Sequence, residues 1–124
     1  MNPADLFAHE TNAVCLAPGE TLFKAGDAAD GMYVLLEGAL EVSVGGQVVE
    51  NSTRGSLIGE MALLDQSPRG ATITAREPSR LAKIDAQRFH RVIQQNPFFA
   101  THVMKVLVER IRHMDQILVQ SHKA

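Results

Sequence analysis

The rhythm of apolar and polar positions along this chain changes near residue 85. Before that point apolar residues come in short runs or alternate with polar ones. Segments 12–17 (NAVCLA), 20–24 (ETLFK), 31–38 (GMYVLLEG), 39–45 (ALEVSVG) and 47–51 (QVVEN) each have strand length. Pro18-Gly19, Gly26-Asp27, Glu37-Gly38 and Gly45-Gly46 fall between them and read as turns. Gly45-Gly46 predicts a tight hairpin, with Val42-Ser43-Val44 pairing across it to Val48-Val49, because two glycines accept the positive φ angles such a turn needs. Leu57-Ile58 ends a further strand, and segments 71–77 (ATITARE) and 79–85 (SRLAKID) are expected to pair with each other about Pro78. Short strands at this spacing predict an antiparallel sandwich or jelly-roll barrel.

Beyond Asp85 the period is helical. Asp85 is a candidate N-cap for segment 86–95 (AQRFHRVIQQ), whose Phe89, Val92 and Ile93 share one face. Asn96-Pro97 breaks that helix, and Pro97 can open the next at its first position. No glycine or proline occurs between Phe98 and Gln120, which predicts a long terminal helix. Along it Met104, Leu107, Ile111, Met114, Leu118 and Ser121 form a heptad seam, flanked by Val103, Val106 and Ile117, which are expected to face the strands. Such a seam suits either self-association or a broad face that covers the domain. The expected fold is α+β. A single domain fills residues 1–124, with a short N-terminal helix, an antiparallel β-roll over about 12–85 and C-terminal helices over about 86–121.

Composition narrows the function classes. A chain of 124 residues suits one core, and 45% hydrophobic with 21% charged residues is ordinary for a globular domain. The net charge of −2 and scattered basic residues leave no footprint for nucleic acid and no polybasic tether, so no nucleic-acid partner is expected for this chain alone. No run of roughly 18 apolar residues is present and the opening MNPADLFAHE does not read as a signal peptide, so no membrane partner and a cytoplasmic location are expected. The lone cysteine, Cys15, excludes an internal disulfide; it lies in a strand-like run and is expected to be a small core side chain. His9, His90, His102, His113 and His122 show no metal-ligand spacing, and His90 and His102 are expected on helix surfaces. No nucleophile motif such as GxSxG occurs, so catalysis is not expected.

The informative stretch is 56–75. Gly59 allows a close backbone turn, and Glu60 to Leu64 can form one helical turn before Asp65-Gln66-Ser67-Pro68 returns the chain to a strand. The start of such a turn presents unpaired N–H groups to an anion. Arg69 follows, and its planar fork of donors suits a phosphate. Glu60 is unsuited to an anion but can accept a hydrogen bond from a sugar hydroxyl. Together these groups suggest a ribose-phosphate ligand.

Gly59-Glu60-Met61-Ala62-Leu63-Leu64, then Pro68-Arg69 and Ala71-Thr72, closely resemble the phosphate-binding cassette of the cyclic nucleotide-binding domain family. That family includes regulatory subunits of cyclic-AMP-dependent kinase, gated ion channels and catabolite-activator-like regulators. Pro18-Gly19-Glu20, Gly26-Asp27, Met32-Tyr33-Val34, Glu37-Gly38 and Arg54-Gly55 resemble its β-roll landmarks, so the resemblance covers roughly residues 12–120. It implies a cyclic AMP or cyclic GMP ligand, no other cofactor and no metal, with Gly59, Glu60, Met61, Ala62, Arg69, Gly70 and Ala71 as the ligand-binding residues. By the same resemblance Glu60 accepts the ribose 2′-hydroxyl and Arg69 pairs with the cyclic phosphate. Backbone N–H groups around Met61, Ala62 and Ala71 cradle that phosphate, and the purine lies on apolar strand side chains under the final helix. Two departures stand out: the initial helical segment is short, and Gly70 replaces the alanine, serine or threonine of many members. Cyclic-GMP-selective members often carry a hydroxyl there, so Gly70 points to cyclic AMP. Catabolite-activator-like regulators dimerise through the corresponding helix, which implies a possible homodimer through the C-terminal helix. The alternative is a β-roll that serves dimerisation or docking, with an unused pocket.

Overall fold

The computed structural model describes residues 2–123 apart from Leu64 and Gln66, with side chains as far as His113. Among the described residues there are eight strands: β1 Val14–Leu16, β2 Thr21–Phe23, β3 Met32–Glu37, β4 Leu40–Val44, β5 Gln47–Ser52, β6 Leu57–Ile58, β7 Thr72–Ala75 and β8 Ser79–Ile84. They form two four-stranded antiparallel sheets, ordered β1-β8-β3-β6 and β2-β7-β4-β5. A short 3-10 helix, Pro3–Phe7, precedes them, and α1 Ala86–Gln95 and α2 Pro97–Lys123 follow. The expected β-roll with terminal helices is the observed architecture.

β3 explains the layering. Its run Met-Tyr-Val-Leu-Leu is buried throughout, because the strand is covered on both faces. Tyr33 and Leu35 point into the roll, where they meet Leu40, Ile58, Ile73 and Leu81 from both sheets. Met32, Val34 and Leu36 point the other way, onto Phe7, Phe99 and Val103 of the helical layer. β8 alternates likewise, with Leu81 inward and Ala82 and Ile84 toward the helices. β7 is buried at every second residue, Ile73 and Ala75, as suits a strand with one open face.

That difference corrects one expectation. Segments 71–77 and 79–85 do not pair with each other: β7 pairs with β2 and β4, and β8 with β1 and β3. A strand buried on both faces belongs in the helix-covered sheet, whereas a half-buried one belongs in the outer sheet. The chain changes sheets over Arg76–Pro78, and Arg76 N donates to Ala39 O at 2.9 Å. The β4–β5 hairpin forms as expected, with Val44 opposite Gln47 and positive φ at Gly45 and Gly46.

Cys15 is also corrected: it is exposed and not in the core. In β1 its neighbours Val14 and Leu16 turn inward, so the period of two sends Cys15 to solvent. Asp85 caps α1 by accepting from Arg88 N at 2.7 Å. Phe89, Val92 and Ile93 pack on the helical-layer core as one face. On α2, Val103 is buried and Val106 half-buried against that core. The seam divides: Leu107 packs on the core, whereas Met104 and Ile111 are exposed. Met114, Ile117, Leu118 and Ser121 lie outside the described side chains. His90 is exposed and His102 half-buried.

Candidate functional site

The short strand β6 delivers Leu57 and Ile58 to the core, and the chain then reverses at Gly59 with φ +68°. A side chain there would meet the Arg69 guanidinium, so the turn needs glycine for both conformation and space. Glu60–Leu63 form a single 3-10 turn, in which Ala62 N donates to Gly59 O at 3.1 Å. Asp65 N donates to Met61 O at 2.8 Å, and Ser67 donates to Asp65 Oδ1 through N (3.0 Å) and Oγ (2.6 Å).

Arg69 enters from a backbone fixed at both ends. Its N–H donates to Asp27 O at 2.8 Å, and its carbonyl accepts from Gly26 N at 2.7 Å. The side chain is 5% exposed and lies with Cζ 4.2 Å from the Phe23 ring centroid. Nη2 donates to Gly31 O at 2.7 Å and Nη1 to Gly59 O at 3.3 Å, while Nε is buried without a hydrogen-bond partner.

Glu60 is fully buried, and neither carboxylate oxygen has an aligned hydrogen-bond donor. Burial pushes its pKa up, against the opposing pull of the Arg110 guanidinium. Arg110 reaches in from α2: its Nε lies 3.0 Å from Glu60 Oε1, and its Nη2 donates to Leu57 O at 3.2 Å. The helix, the end of β6 and the cassette turn therefore meet at one ion pair.

All seven residues expected to bind ligand, Gly59, Glu60, Met61, Ala62, Arg69, Gly70 and Ala71, line one cavity of about 340 Å³. Its apolar wall comes from Phe23, Val42, Ile58 and Ile73, and Arg110 closes the side toward α2. A cavity of this size, mostly apolar with a few convergent polar groups, suits a small-molecule ligand. Phe23 and Arg110 were not singled out from the sequence. Arg110 carried no local signal, because it is an exposed helix residue whose partner lies fifty positions earlier in the chain. Among the described residues no cluster of three histidine, cysteine, aspartate or glutamate side chains could hold a metal ion, and no helix is long and apolar enough to cross a membrane.

An antiparallel β-roll with terminal helices, and a glycine turn at the end of β6 that brings Glu60 and Arg69 to one cavity, define the class. Residues 13–96 match the cyclic nucleotide-binding domain family, and the chain belongs to it. It is 40% identical over 86 residues to a cGMP-dependent protein kinase of Toxoplasma gondii, covering 67% of this chain and 9% of the kinase. To a cAMP-dependent protein kinase regulatory subunit of Debaryomyces hansenii it is 34% identical over 82 residues, 64% of this chain and 18% of the subunit. The chain thus spans less than a fifth of either relative. The catabolite activator protein of Thermus thermophilus superposes with a TM-score of 0.76 at 25% identity, over 91% of this chain and 61% of that one.

Proposed function

We propose that this domain binds a cyclic nucleotide monophosphate, cyclic AMP in preference to cyclic GMP, as a non-catalytic regulatory sensor in the cytoplasm. One observation carries the reading: a fully buried carboxylate and a nearly buried guanidinium, each with unpartnered polar atoms, line the same apolar-walled cavity. Such groups are costly unless a ligand completes them. Glu60 requires a donor, which a ribose 2′-hydroxyl provides. Arg69 requires an acceptor, which a cyclic phosphate provides, with the backbone N–H groups of Met61 and Ala71 beside it and that of Ala62 joining once the turn releases its bond to Gly59 O. The base then lies against Phe23, Val42 and Ile73. No metal or further cofactor has a role in this binding. Relatives named for cyclic GMP and for cyclic AMP both match, so the preference rests on Gly70, which offers guanine no hydroxyl.

Binding becomes a signal through α2. A hydroxyl donated to Glu60 competes with Arg110 for the same carboxylate, so the ligand shifts the balance between two placements of the helix. Met104, Val108 and Ile111 stand about half exposed on α2 and favour a homodimer through this helix as the output. Calorimetric titration of micromolar protein with cyclic AMP and cyclic GMP tests the reading. Saturable binding, tighter for cyclic AMP, is expected. Absence of binding for both would leave a docking module with an unused pocket.

A further inference from the structure

We propose that Lys83, which does not line the pocket, is a positioning residue that keeps Arg69 available to an anionic ligand by holding the Asp30 carboxylate away from it. This inference rests on the proposed function and extends it to a residue outside the cassette. Lys83 stands on β8 opposite Tyr33 of β3. Its Nζ donates to Asp30 Oδ2 at 2.8 Å, whereas the other Asp30 oxygen is 3.7 Å from Arg69 Nη2. Asp30 thus lies between two cations, hydrogen-bonded to Lys83, which does not line the cavity, and only in a longer ion pair with Arg69, which does.

The backbone reinforces this arrangement. A side chain at Gly31 would lie 2.8 Å from Ile84 O, so Gly31 packs directly on the end of β8. Gly31 O is the acceptor of the short bond from Arg69 Nη2. Lys83 and Ile84 therefore fix both neighbours of the guanidinium, the carbonyl that orients it and the carboxylate that could neutralise it. The lowered pKa of Asp30 and the raised pKa of Lys83 agree with a formed pair.

Charge decides the expected sign. With Lys83 present, the three groups carry a net positive charge toward a phosphate. Without it, Asp30 and Arg69 cancel, and Asp30 is free to close the 3.7 Å gap into a contact that phosphate must displace. Asp30 and Lys83 are largely solvated, with side chains 66% and 43% exposed, so the effect is the modest one of an exposed pair.

The test is calorimetric titration with cyclic AMP and cyclic GMP of the parent, Lys83→Met, Lys83→Arg, Asp30→Asn and the double variant. Lys83→Met is expected to weaken both nucleotides about two- to fivefold at low salt, and the loss should shrink at about 0.5 M salt. Lys83→Arg should keep parental affinity. Asp30→Asn should bind at least as tightly as the parent, and adding Lys83→Met to it should change nothing further. An unchanged Lys83→Met, an equal loss in the Asp30→Asn background, or weaker binding by Asp30→Asn alone would each overturn the role of Lys83 while leaving the proposed function intact. A parent that binds neither nucleotide overturns both.

Discussion

Glu60→Gln should stabilise the unliganded protein and weaken nucleotide binding, two effects of opposite sign from one atom. Glu60 is fully buried, its oxygens lack aligned donors, and its pKa is raised chiefly by burial, with Arg110 offsetting only part. For an acid whose folded pKa lies above its unfolded value, the folded state binds more protons between the two. Stability therefore falls as pH rises through that window, and the full penalty is present above the folded pKa. Replacing the carboxylate by an amide removes the part of the penalty due to charge, on the order of 1–3 kcal/mol for a buried group whose one ion pair lacks an aligned hydrogen bond. Removing one member of a buried ion pair is ordinarily destabilising because a charge is stranded. Here the stranded charge is Arg110, whose side chain is 43% exposed and can rehydrate, so the gain outweighs the loss. For ligand, a charged acceptor becomes a neutral one, which costs about 1–1.5 kcal/mol, near tenfold in affinity. Urea unfolding of the unliganded protein from about pH 4 to 8, with titration of cyclic AMP and its 2′-deoxy analogue, measures both. The parent should lose stability toward neutral pH through Glu60, and the variant should lack that component. The variant should also bind the two analogues more equally. A Glu60→Gln protein that is less stable and binds as tightly as the parent would show that this carboxylate serves only Arg110.

Two further outcomes are expected. Gly70 has no positive φ and no atom within 4 Å of a Cβ placed there, so Gly70→Thr should fold normally and narrow or reverse a cyclic AMP preference of about tenfold; equal harm to both nucleotides in paired titrations would refute this. Ile111→Lys, at a position 58% exposed on α2, should dissociate a dimer in sedimentation without lowering the unfolding midpoint, and a parent already monomeric at high micromolar concentration would refute the α2 interface.

The strands were legible because burial on one or two faces writes alternating or continuous apolar runs, as β7 and β3 show. Their partners were less so. Adjacent segments 71–77 and 79–85 look like a hairpin locally, and only the burial of Ala82 and Ile84 against the helices assigns them to different sheets. Cys15 was misread because segment 12–17 is apolar on average, whereas its phase between Val14 and Leu16 sends it outward. The cassette turn was legible at the level of named residues, since a glycine turn, a carboxylate and an arginine within eleven positions reach one cavity. What surrounds it was not. Arg110 arrives from a helix fifty residues on, and Lys83 meets Asp30 across 53 positions, so neither contact leaves a local pattern.

The most direct test is a side-by-side titration of the parent and Arg69→Ala with cyclic AMP. Truncating one partner of a desolvated charged hydrogen bond costs about 2–5 kcal/mol, so the variant should bind about 30-fold more weakly or worse. Its fold should hold, because what the Arg69 side chain contributes to the unliganded protein is two carbonyl contacts, a long ion pair with the exposed Asp30 and the face of Phe23. A folded Arg69→Ala protein that binds cyclic AMP as tightly as the parent would contradict the assignment of this cavity as the nucleotide site.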